Sequence, residues 1–131
     1  MEKTIIDREN NRFYPGEHTS DAIHYLAGFL CFDVGSSDVG SSVEFFKEWL
    51  SDPSRLETGG NYSQVEKQGN IITIGSEYDW FHETPGAPVF TLTLKQMNYI
   101  LDRWKEALEK KPNKIVITKH DNDEITVDFE E

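Results

Sequence analysis

VFTLTLKQMNYILDRWKEALEKKPNKIVIT, residues 89–118, decides the fold, because its apolar period changes twice within thirty positions. Residues 89–92 read as a strand that runs directly into a helix. Thr93 and Gln96 have the spacing of a capping box, which marks the helix start. From there Leu94, Met97, Leu101, Trp104 and Leu108 recur at alternating steps of three and four, and Ile100 and Ala107 widen the apolar stripe. Lys110 and Lys111 suit the negative helix end and Pro112 stops it, so the helix spans about 93–111. Residues 114–118 then return to the composition of a strand.

Working outward, residues 114–118 and 124–129 flank a polar connection centred on Asp121 and read as a hairpin. Ile125, Val127 and Phe129 face inward, with Thr126 and Asp128 outward. Residues 62–68 and 70–74 flank Gly69-Asn70, a second hairpin signal. Ser41 and Glu44 again have capping-box spacing, followed by Phe45, Phe46, Trp49 and Leu50 and bounded by Pro53, which predicts a shorter helix. Residues 23–32 are apolar on both alternating faces apart from His24 and read as a central strand covered on two sides. Segments 33–42 and 57–61 read as mobile loops, and the first 21 residues as a polar, loosely attached start. The sum is one α+β domain over 1–131: a mainly antiparallel sheet of five or six strands with two helices, the longer packed on one face.

Composition narrows the function. The 131 residues are 37% hydrophobic and 12% aromatic, enough for one core, and the net charge is −11. Residues 93–119 carry +4, which leaves −15 on the rest of the chain. Such a field repels nucleic acid and anionic membranes and steers basic surfaces inward, so a protein partner is expected and nucleic acid is not. No run approaches the roughly 18 apolar residues of a membrane helix, and the start lacks a basic region followed by an apolar one, so a cytoplasmic protein is expected. Cys31 has no second cysteine to pair with and sits in an apolar run, the setting of a buried, inert thiol. A monomer is favoured.

The chemistry-bearing motifs point away from an enzyme. His18, His24, His82 and His120 have no metal-site spacing, and the acidic run after His120 lacks the glycine and distal glutamate of a calcium loop. Ser36 and Ser37 are not in a nucleophile elbow, and residues 35–40 lack the lysine of a phosphate loop. No metal and no cofactor are expected. The alternative is a small enzyme or ligand-binding domain using His24, His82 and neighbouring carboxylates.

The remaining signal is SEYDWFHE, residues 76–83, which mixes aromatic rings with carboxylates just before Thr84-Pro85-Gly86. Tyrosine and tryptophan give rigid contact area, and acids attract lysine and arginine. Glu77, Tyr78, Asp79, Trp80, Phe81 and Glu83, joined by Asp121, Asp123 and Glu124 of the last hairpin, are therefore the candidate partner-binding residues. The competing reading buries Trp80 at a strand end and leaves the acids solvated.

In its size, in the aromatic-acidic loop SEYDWFHETPG and in the strand-helix-strand segment 89–118, the chain resembles the small acidic α+β immunity proteins of bacterial contact-dependent or polymorphic toxin systems. The resemblance implies a stoichiometric cytoplasmic inhibitor that occludes the basic active-site cleft of a cognate toxin, commonly a nuclease, without catalysis of its own. It transfers no individual site residue.

Overall fold

The computed structural model describes residues 1–8, 12–15, 22–35, 41–59, 63–76 and 85–130. Among these, the chain begins with strands β1 (Glu2–Asp7) and β2 (Arg12–Pro15), followed by helix α1 (Ile23–Gly28), which continues without a break as a π-helix (Phe29–Val34). Helix α2 (Ser41–Ser51) leads to β3 (Glu57–Gly59), β4 (Ser63–Gln68), β5 (Ile71–Ser76) and β6 (Phe90–Thr93). Helix α3 (Leu94–Lys110) and the strands β7 (Lys114–Lys119) and β8 (Ile125–Glu130) complete the order. The strands form two four-stranded sheets, β2-β1-β7-β8 and β3-β4-β5-β6, and every pairing is antiparallel. The α+β class and antiparallel pairing agree with the sequence. The count does not: among the described residues, eight strands in two sheets and three helices replace one sheet of five or six strands with two helices.

The largest correction concerns residues 23–32, which are helical and not a central strand. A segment apolar on every side suits any element enclosed on every side. α1 packs against β1 and β2 of one sheet and β5 and β6 of the other, so it is the layer between them. Ile23, Leu26, Ala27 and Leu30 are buried at helical spacing, and Phe29, Cys31 and Val34 are buried on the π-helical turn. Gly35 ends that turn with φ +84, a left-handed value that glycine adopts without strain, and its carbonyl accepts the Trp104 indole N–H at 2.8 Å.

The chain start is also more deeply built in than its polarity implies. β1 lies between β2 and β7, with Thr4 and Ile6 buried against α1. Arg8 then ties the strand to the connection after α3: its backbone N–H donates to Asn113 O at 3.1 Å and its Nε to Pro112 O at 2.7 Å. Glu57–Gly59, expected as loop, is an edge strand against β4. Asp33 and Val34 belong to the π-helix, and the rest of both expected loops lies mainly outside the described residues.

Local signals elsewhere act as the sequence indicates. Thr93 Oγ1 accepts Gln96 N–H at 3.0 Å while Gln96 Oε1 accepts Thr93 N–H at 2.9 Å, so both halves of the capping box form. α3 buries Met97, Ile100, Leu101, Trp104, Ala107 and Leu108, and ends at Lys111 in the left-handed conformation before Pro112. It packs on β5, β6 and β8, bridging the two sheets rather than covering one face of a single sheet. α2 lies against α3 and the π-helix. Trp49 and Trp104 are core residues, and each indole N–H has a backbone acceptor, Glu57 O at 3.1 Å and Gly35 O at 2.8 Å.

Candidate functional site: an anchored acidic turn

The part of the expected contact surface that the structure describes is the connection between β7 and β8. Backbone bonds close it: Asp123 N–H donates to His120 O at 2.9 Å and His120 N–H to Glu124 O at 2.8 Å. Asp123 takes φ +68, which aspartate tolerates better than most side chains, and Asn122 Oδ1 accepts Glu124 N–H at 3.2 Å. The turn is also fastened from outside, because Gln96 Nε2 donates to Asp123 O at 2.8 Å. One glutamine therefore closes the α3 cap and pins the turn.

Asp121 and Asp123 project almost fully into solvent, with side chains 89% and 86% exposed, and Glu124 is exposed as well. Asp121 accepts the Met1 ammonium at 2.6 Å, and this bond holds its carboxyl below the ordinary aspartate range. Asp123 stands 3.9 Å from Lys119 Nζ, a loose pairing. Around the turn, the carboxylates of Glu2, Asp121, Asp123 and Glu124 outnumber the Met1 and Lys119 ammonium groups, so the local field stays negative.

The acid extends further than the sequence reading had it. Asp128 and Glu130 are exposed on β8, an edge strand, and continue the patch along the sheet. The signal was present in ITVDFE, whose alternate positions carry Thr126, Asp128 and Glu130. Meanwhile three cations of α3 pair with the molecule's own acids, Lys105 with Glu44 at 3.1 Å and Arg103 and Lys110 with Glu106 at 2.5 and 2.7 Å, and Lys47 on α2 pairs Asp102.

The other expected contact residues, Glu77, Tyr78, Asp79, Trp80, Phe81 and Glu83, lie outside the described residues, as does His82. What the structure places is the ends of that segment. Ser76 closes β5, and Phe90, at the start of β6, pairs with Ile74 near the same end. Ile71 and Thr93, beside the acidic turn, form the opposite end, and the five steps from Ile71 to Ser76 amount to about 17 Å at the rise of an extended strand. His24, of the alternative reading, is a half-buried residue on α1 and does not line the depression beside Asp121.

A second feature, which the sequence reading missed, is Lys67. Its side chain is only 6% exposed and its Nζ donates to the backbone carbonyls of Trp49 and, at 2.6 Å, Asp52, at the end of α2. The ammonium also sits 4.5 Å from the centre of the Trp49 ring. Desolvation holds its pKa below that of an ordinary lysine, against a smaller opposing pull from Asp52. Alternation from Val65 places position 67 on the inward face, so its burial was readable in principle.

Among the described residues, no group of three or more His, Cys, Asp and Glu side chains converges as a metal site would require, and no helix is long and apolar enough to cross a membrane. Comparison of the chain with protein-family models, curated proteins and solved structures returned no match.

Proposed function

We propose that the protein is an inhibitor that binds a basic protein surface, in the manner of an immunity protein that plugs the active-site cleft of a cognate bacterial toxin. The observation that carries this reading is the anchored acidic turn. Asp121, Asp123 and Glu124 stand in solvent on a loop whose backbone is closed on itself and bonded to Gln96. Preorganised carboxylates lose little entropy when lysines and arginines close on them, and their field accelerates encounter. A cleft that holds a phosphate backbone offers such cations, which makes a nuclease the expected target class. The inhibitor works by occupancy: it makes and breaks no covalent bond and needs no cofactor. In that role it acts in the cytoplasm of the cell it protects.

The deciding experiment mixes the purified protein with the product of the adjacent reading frame and follows both complex formation by calorimetry and nuclease activity. A stoichiometric complex with loss of activity supports the reading, and no complex with full activity removes it. Within a complex, Asp121→Lys, Asp123→Lys and Glu124→Lys combined should slow association far more than they speed dissociation. Equal association rates for the triple variant and the parent would mean that the turn is not the contact.

A further inference from the structure

Away from the acidic turn, the end of α2, the β4–β5 turn and the first turn of α3 enclose a cleft of about 310 Å3. Its walls are Leu50, Pro53, Leu56 and Leu94, and among the described residues Lys67 is the one charged residue that lines it. We propose that this cleft binds a small organic carboxylate with a short apolar body, the carboxylate resting on Lys67 Nζ. This inference is independent of the inhibitor reading, which concerns a different part of the molecule.

A buried charge is ordinarily paired with an opposite charge, because dipoles alone recover the cost of desolvating an ion incompletely. Among the described residues, Lys67 has dipoles and a ring: the Trp49 and Asp52 carbonyls and the Trp49 face. Asp52 reaches Lys67 through its backbone carbonyl, while its carboxylate Oδ1 accepts the Ser54 backbone N–H at 3.0 Å and hydroxyl at 2.6 Å. Of its three donors, two go to the Trp49 and Asp52 carbonyls and the Trp49 ring faces the group, so among the described residues no carboxylate bonds this ammonium, whose side chain lines the cleft.

The walls specify the rest of the ligand. Leu56 is 57% exposed on the rim, where an apolar chain or ring would cover it. Leu50, Ser51 and Leu94 continue into a shallower groove of about 280 Å3 flanked by Lys47 and Lys95. Lys95 is exposed and its ammonium has no ion pair among the described residues, so the approach carries positive charge on an otherwise acidic protein. A cation among the lining residues, leucines along the walls and a second cation in the adjoining groove select a monocarboxylate over a neutral or cationic molecule of equal size.

Amide chemical shifts of the full chain, titrated with hexanoate, benzoate, hexanol and hexylamine, test the proposal. Hexanoate or benzoate should saturate shifts at Leu50, Lys67 and Gly69, with hexanol weaker by about tenfold or more and hexylamine inert. Lys67→Gln should abolish the preference for hexanoate over hexanol. Should that variant fold poorly, Leu56→Asp, at an exposed rim position, should weaken hexanoate by about tenfold while leaving the far-ultraviolet spectrum unchanged. Three results each overturn the proposal: no saturable shift with either acid, equal binding of hexanol and hexanoate, or capture only of a leucine-ended peptide acid and not its amide or the small acids. In the last case the cleft would belong to a peptide terminus.

Discussion

Arg103 of α3 donates two hydrogen bonds to one atom, the carbonyl oxygen of Val127 in the middle of edge strand β8, from Nη2 at 2.8 Å and Nε at 3.2 Å. The Val127 N–H, on the same free edge, donates to Tyr99 Oη at 3.2 Å. The guanidinium meanwhile stacks 4.1 Å from the Phe129 ring centre and pairs with Glu106. An edge strand is a template for pairing with another chain unless its outward groups are covered. Here α3 covers the outward N–H and C=O of Val127 with two side chains.

Arg103→Met should therefore do two things. Leaving the Val127 carbonyl unpaired and Glu106 with one cation fewer should lower stability by about 1–2 kcal/mol, read from urea unfolding. It should also promote concentration-dependent association, read by light scattering. Arg103→Lys should restore neither fully, because a single ammonium cannot span the carbonyl, the ring and Glu106 together.

The capping box and the acidic turn should prove coupled. Thr93→Ala removes one cap bond and should cost about 1 kcal/mol. Gln96→Ala removes the other half of the cap and the bond to Asp123 O, so it should additionally speed hydrogen exchange of the amides of Asp123 and Glu124. Equal exchange in the two variants would show that Gln96 does not pin the turn.

Burial pushes the Cys31 thiol up to about 12, so almost no thiolate exists in the folded protein between neutral pH and pH 9. Labelling by a disulfide reagent should be slow throughout that range and should accelerate with urea in step with unfolding. Rapid labelling of the native protein would contradict the enclosure of the π-helical turn.

Glu106 is held below its ordinary value of 4.5 first by its bond with Lys110 and then by that with Arg103. A carboxyl depressed in the folded state contributes stability that is fully present above the unfolded value and is lost as pH falls through the folded one. Acid unfolding of Glu106→Gln should thus show a shallower decline below pH 4.5 than the parent, with the difference shrinking in high salt because the pair is partly exposed.

Much of the molecule was legible because its cause is local. Thr93 and Gln96 meet within one helical turn, Gly69 with its φ of +61 turns one hairpin, and ITVDFE separates its faces by simple alternation, so neighbours along the chain decide each outcome. The acidic turn was readable for the same reason, although its fastening by Gln96, 27 positions away, was not.

What the sequence alone determined is the class: antiparallel strands, a capped amphipathic helix and an acidic surface, all of them consequences of period, capping chemistry and charge count. Tertiary structure alone decided that residues 23–34 are helical, because an all-apolar segment carries no period and takes the form that fills the space between two sheets. It likewise decided that the polar start becomes an interior strand, since β1 gains its partners from β7, more than a hundred residues later. The burial of Lys67 against α2 belongs to the same kind, for an ammonium stays in the interior only where folded carbonyls and a ring are already waiting for it.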